Sequence, residues 1–167
     1  MGLKITAADQ DDISTIVTIL TEATEHKAAH SDMAWGTGAF TNEEVAEYMV
    51  THPMYIVKIN TEAVGTFSIT WEDTHIWGKQ ELDAGYIHRL AVRHGFHSKD
   101  LGEAIINWAA AETKKQGRTL LRLDCPLDNK KLRAYYEKTR LHTNRHRQNR
   151  PSRWLHTGPL RTQNLDK

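Results

Sequence analysis

Tyr86-Ile87-His88-Arg89-Leu90-Ala91-Val92-Arg93-His94-Gly95-Phe96-His97-Ser98-Lys99-Asp100-Leu101-Gly102 is the stretch that decides the fold. Tyr86 to Val92 reads as a buried strand. A short polar loop runs from Arg93 to Lys99, and a helix is expected from about Asp100. A strand that passes through a loop into a helix N-terminus makes a place to hold phosphate. The first N–H groups of a helix lack intrahelical partners, and the helix dipole favours an anion there. Asp100 is the anomaly, an acid where such a cradle wants none.

Outward from this stretch, Lys4–Ala7 reads as a first strand. Asp9 to Asp12 cap a helix that carries Ile13, Ile16, Val17 and Leu20 at the spacing of a buried stripe and runs to about Ala29. Residues 31–40 read as a loop. Thr41-Asn42-Glu43-Glu44 opens a second helix as a capping box, with Val45, Tyr48 and Met49 inward, and His52-Pro53 ends it. Met54–Ile59 and Ala63–Trp71 form a hairpin about Asn60-Thr61-Glu62. A long polar connection covers Glu72 to Asp83.

After the strand Gly85–Val92, the helix from Asp100 to about Gln116 is expected to bury Leu101, Ala104, Ile105 and Trp108, with Gly117 as its C-cap. Thr119–Asp124 is a strand, and Asn129 starts a helix to about Lys138. The order is β-α-α-β-β-β-α-β-α. This is a mixed α/β fold, a central sheet flanked by helices with at least one parallel crossover.

At 167 residues the chain has the length of one domain with a sizeable core. Charged residues are 26% and hydrophobic ones 39%, which excludes wholesale disorder. No run approaches the ~20 apolar residues of a membrane span. The N-terminus has no apolar signal core, so a cytoplasmic protein is expected. Cys125 stands alone, which excludes an internal disulfide and favours a buried packing role over a nucleophile. No Cys/His cluster has metal spacing, since the ten histidines are scattered and His94-x-x-His97 sits in the loop after the strand, so no metal is expected.

Residues 1–138 carry 15 basic and 20 acidic side chains, whereas residues 139–167 carry 7 and 1. The first part reads as a domain and the second as an atypical basic tail with little strand or helix pattern. A nucleic-acid contact through Arg140, Arg145, Arg147, Arg150, Arg153 and Trp154 is the weaker reading of that tail, because the rest of the chain is acidic.

Two motifs give the chain a resemblance to the GNAT superfamily of acyl-CoA-dependent N-acetyltransferases. One is Ile87-His88-Arg89-Leu90-Ala91-Val92 with its loop, where the family pattern Gln/Arg-x-x-Gly-x-Gly/Ala falls on His97-Ser98-Lys99-Asp100-Leu101-Gly102. The other is Asp128-Asn129-Lys130-Lys131-Leu132-Arg133-Ala134-Tyr135-Tyr136-Glu137-Lys138. It is similar to the family's Asn-x-x-Ala-x-x-x-Tyr-Glu-Lys helix, with Leu132 in the usual Ala position. The resemblance covers residues 3 to 138.

What the resemblance implies is acetyl-CoA as co-substrate and acetyl transfer to an amine of unknown identity; a homodimer is left open. Leu90, Ala91 and Val92 would hold the pantetheine arm along the strand. The N–H groups of His97, Ser98, Lys99, Asp100, Leu101 and Gly102 would take the pyrophosphate. Asn129 would contact the cofactor arm, and Tyr136 would stand near the sulfur and protonate the leaving thiolate.

The chemistry asks for the same parts. An amine attacks a thioester only when neutral, so its proton needs a route. Tyr86 and His88 compete for the base, with His88 the better candidate, and Glu72 and Asp73 are weaker alternatives. Trp35, Phe40, Trp71 and Trp77 serve either an acceptor pocket or packing.

Asp100 stands where the family has a loop glycine. It adds a Cβ and a charge near phosphate, a penalty of roughly a few kcal/mol at an effective dielectric near 20. His97, Lys99 and Arg93 could offset part of it. An acyl-CoA-binding protein with weak catalysis is the alternative this departure suggests.

The family's Leu-Gly-Phe turn after Tyr-Glu-Lys is missing. A single-base frameshift near codon 139 would restore a reading frame that permits it. Codons incompatible with CTC-GGC-TTC would exclude the shift. If the shift is present in the protein, the tail is expected to lack the last strands.

Overall fold

A computed structural model of the chain describes residues 2–33, 35–97, 100–126, 129–138, 143–144 and 154–157. Its elements are β1 (Leu3–Ala7), α1 (Ile13–Ala29), α2 (Asn42–Thr51), β2 (Met54–Ile59), β3 (Glu62–Thr70) and α3 (Thr74–Trp77). They continue as β4 (Ala84–Val92), α4 (Leu101–Lys115), β5 (Leu120–Pro126), α5 (Lys130–Lys138), β6 (Thr143–Asn144) and β7 (Trp154–Thr157). The expected mixed α/β order is present, with the short α3 added inside the connection read as irregular. Asp73 explains that addition, because its side chain accepts from the Ile76 N–H at 3.0 Å and caps the turn.

The chain divides into two compact units: residues 1–69 with 89–105, and residues 70–88 with 106–167. The units divide before the last residue of β3, inside β4 and inside α4. In the first unit β1 pairs antiparallel with β2, and β2 with β3, with a register shift at Val57/Lys58. Beside β3 runs the C-terminal half of β4, whose end is fixed by the Arg93 N–H donating to the Val64 carbonyl at 2.9 Å. Gly65 makes that approach close. A Cβ there would stand 2.9 Å from the Ala91 carbonyl oxygen.

The core of this unit is the stripe on α1 meeting β2 and α2. Ile16, Ile19, Leu20, Val45, Met54 and Ile56 are buried together, and Ile13, Val17, Tyr48 and Met49 pack at the margin. Both helix starts carry capping boxes, Asp9 with Asp12 ahead of α1 and Thr41 with Glu44 at α2. Trp35 and Phe40 pack on this same core.

In the second unit the N-terminal half of β4 runs parallel to β5, with Tyr86 opposite Arg122 and Ile87 opposite Leu123. On the other side of β5 lies β7, antiparallel, with Asp124 opposite His156, and β7 pairs in turn with β6. Within residues 139–167 the described residues are two short strands, Thr143–Asn144 and Trp154–Thr157. The other residues of that tail, and the frameshift reading, lie outside the described residues.

Leu101 and Ile105 of α4 are buried as expected. Ile106 and Ala109 join them in place of Ala104 and Trp108, which are only partly covered. Gly117 ends the element with φ 72°, as a C-cap requires. Cys125 is free and buried.

Candidate active site

Arg89 interrupts β4 with φ 49°, a left-handed backbone that a strand does not sustain. The residues before and after it belong to different units. Its guanidinium stacks on Tyr48, 3.6 Å from the ring centroid, and stands 5.2 Å from that of Phe40. Burial lowers the Arg89 pKa, and Tyr48 and Glu44 oppose that shift. The aromatic faces support a half-buried cation.

Within the first unit are the strand end and the loop expected to hold the cofactor. Ala91 is buried, while Leu90 and Val92 are partly covered. The Val92 carbonyl accepts a hydrogen bond from the His97 imidazole, Nε2 to oxygen 2.7 Å. The His97 N–H points back to the His94 carbonyl at 3.4 Å. Ser98 and Lys99 lie outside the described residues.

Asp100 has φ 52°, a backbone that favours glycine, and its carbonyl accepts from the Ala104 N–H at 3.0 Å to begin α4. The N–H groups of the following turn, from Leu101 and Gly102 onward, therefore belong to a helix start. The exposed Asp100 side chain adds a carboxylate at that helix start. Arg93 does not offset that charge. Glu22 takes both its Nε and Nη2 hydrogens, at 2.9 and 2.7 Å.

The ionisable groups of interest belong to the second unit. Tyr86 is 2% exposed, and its hydroxyl accepts from Arg122 Nη1 at 2.7 Å. Arg122 also reaches Asp83 at 3.4 Å. Tyr86 packs with Trp77 and Ala84 as a small core, so Trp77 also serves packing. Trp71 supports the same region, its carbonyl bound by Arg118, which also binds the Ala84 carbonyl.

His88 is placed differently. Its Nε2 lies 3.1 Å from the Thr70 hydroxyl and 3.9 Å from Asp73 Oδ2. Asp73 Oδ1 is spent on capping α3, and Oδ2 is buried without a hydrogen bond. A buried carboxylate oxygen facing an imidazole stabilises the imidazolium that forms when the ring takes a proton. Glu72, by contrast, is exposed.

Asp124, on β5, escaped the sequence reading. Its pKa rises from 3.8 to about 6, first because burial disfavours the charged form and then because Asp73 is negative. The sequence signal was a lone acid inside an apolar strand, Leu120-Leu121-Arg122-Leu123-Asp124-Cys125.

Tyr136 is 6% exposed. Its pKa is pushed well above the phenol value, chiefly by burial, with Cys125, Tyr135 and Asp124 adding to the shift. It stays a phenol at any working pH. Asn129 Oδ1 accepts from the Leu132 N–H at 3.0 Å, so this residue is the N-cap of α5.

Among the described residues, three histidines from distant parts of the sequence gather in space. His26 of α1 meets His94 and His97, with one nitrogen from each within 4.8 Å of the others. Sequence spacing could not reveal a set joined across more than sixty intervening residues.

Residues 16–140 match the model of the acetyltransferase (GNAT) family. The chain is 33% identical over 69 residues to the uncharacterized N-acetyltransferase YesJ of Bacillus subtilis, a match covering 41% of this chain and 38% of that relative. A GNAT-family acetyltransferase from Listeria monocytogenes superposes with TM-score 0.74 at 16% identity, covering 93% of each chain. The PaiA N-acetyltransferase from Thermoplasma acidophilum, solved in complex with coenzyme A, superposes with TM-score 0.72 at 14% identity, over 95% of this chain and 99% of that one. These two likenesses establish the fold, and the family match extends over most of the sequence. The chain belongs to the acetyltransferase (GNAT) family.

Proposed function

We propose that the protein transfers the acetyl group of acetyl-CoA to an amine by direct attack, with both substrates bound together. The observation that carries this reading is the pair of ionisable groups, His88 against Asp73 and Tyr136 held as a phenol. His88 accepts the proton of the ammonium, directly or through water, and Asp73 favours the imidazolium that results. Thr70 fixes the ring by its hydrogen bond to Nε2. Tyr86, engaged by Arg122, is the lesser candidate for base.

Tyr136 donates a hydrogen bond to the thiolate as the C–S bond breaks. A phenol with a raised pKa is a weaker acid than a thiol, whose pKa is about 8.5. It therefore stabilises the departing thiolate by its hydrogen bond and keeps its own proton, while the proton that makes the free thiol is the one the nitrogen of the collapsing adduct releases. Leu90, Ala91 and Val92 bind the pantetheine arm, and the loop from His97 to Gly102 binds the pyrophosphate. The carbonyl oxygen's developing charge requires a donor, and a backbone N–H at the end of β4 supplies it.

Asp100 is the test of the loop assignment. Removing its side chain relieves a left-handed non-glycine backbone and takes a carboxylate away from phosphate. Asp100→Gly is expected to tighten acetyl-CoA binding by about tenfold, equivalent to roughly 1.4 kcal/mol. Titration calorimetry of both proteins measures it, and an unchanged Kd would remove the pyrophosphate from this loop.

A further inference from the structure

We propose that His26, His94 and His97 form a binding site for a divalent transition-metal ion of the zinc class. Nothing in acetyl transfer calls for these three imidazoles. His26 lies in the last turn of α1, His94 opens a short 3-10 turn over His94–Phe96, and His97 closes it. The ring centroids of His94 and His97 lie 4.9 and 5.0 Å from that of His26.

The ligand nitrogens sit within 4.8 Å of one another, while a tetrahedral zinc with bonds of about 2.0–2.1 Å separates its nitrogens by roughly 3.4 Å. His94 is exposed, so rotation of its ring is free to shorten that separation, while the His97 ring is held by the Val92 carbonyl. The tautomer of His97 is already set. A carbonyl can only accept, so Nε2 carries the hydrogen it donates to Val92 and Nδ1 keeps its lone pair. A second hydrogen bond of this kind is the usual support of a metal-binding imidazole.

Three imidazoles with no carboxylate among them suit zinc, nickel, cobalt or copper and do not suit magnesium or calcium. The fourth position falls to water, because the His30 ring nitrogen Nδ1 is engaged by the His26 carbonyl at 2.8 Å. Occupancy would tie the end of α1 to the segment that begins the proposed pyrophosphate loop.

The test is titration of the full chain with Zn2+ at neutral pH, with Mg2+ as the comparison cation. Variants His26→Ala and His94→Ala are measured beside the exposed control His75→Ala, and circular dichroism verifies that each folds. One equivalent of Zn2+ is expected to bind the parent chain and the control alike. His26→Ala and His94→Ala should each weaken it by at least about tenfold. The Co2+ form should show the strong visible absorption of four-coordinate cobalt, and either variant should abolish it. Zn2+ affinity unchanged in both variants, or no binding by the parent chain, would overturn the proposal.

Discussion

Tyr136→Phe is expected to lower kcat for amine acetylation by about a hundredfold while shifting the KM for acetyl-CoA by less than about threefold. The substitution removes one oxygen from a buried ring and leaves its packing in place. The hydroxyl matters only when sulfur gains charge, so its loss falls on the transition state and spares ground-state binding. Its raised pKa keeps the group protonated through the alkaline range, so no basic limb of the pH profile belongs to it. Steady-state kinetics of the two proteins decide the matter, and a kcat within about twofold of the parent would exclude Tyr136 from the step.

The second large effect is on stability. Asp124 carries a folded pKa of about 6 against 3.8 for the free side chain. Between those values the native state holds a proton that the unfolded chain has released. Stability from this group is therefore greatest below pH 3.8 and falls as pH rises to about 6, after which the loss is constant. Roughly two pKa units at about 1.4 kcal/mol each set an upper bound near 3 kcal/mol. Asp124→Asn removes the charge that burial and Asp73 oppose. It should stabilise the protein by up to about 3 kcal/mol at pH 8, with the gain shrinking toward zero near pH 4. Urea unfolding at the two pH values checks this, and no gain at pH 8 would mean that the carboxylate is not penalised by the fold.

The elements were legible because their signals are local. Capping boxes at Asp9 and Thr41, the turn at Asn60 and the glycine after α4 each act within a few residues, and each lies where the sequence puts it. Hydrophobic spacing located the stripe on α1, though it misjudged the face of α4, where Ile106 and Ala109 are buried instead of Ala104 and Trp108.

The site was legible in part. His88 and Tyr136 follow from motif position and chemistry. Asp73 was visible as an acid, but its buried oxygen facing His88 depends on α3, whose single turn leaves no periodicity to read. Asp124 gains its character from burial and from a neighbour some fifty residues earlier in the chain. The left-handed backbone at Arg89 interrupts a run that reads as continuous strand. The histidine set is non-local in the same way. Groups whose properties come from distant partners are the ones that the linear pattern conceals.

Amine-dependent release of the CoA thiol from acetyl-CoA is the most direct measurement of the central claim. It is made with the purified chain over a panel of small amines and peptide amino termini, with acetylated product identified by mass. The expected result is thiol release that rises with one class of amine and matches the product formed. Thiol release that is indifferent to every amine, in a protein that binds acetyl-CoA, would contradict acetyl transfer and leave a binding protein on an acetyltransferase fold.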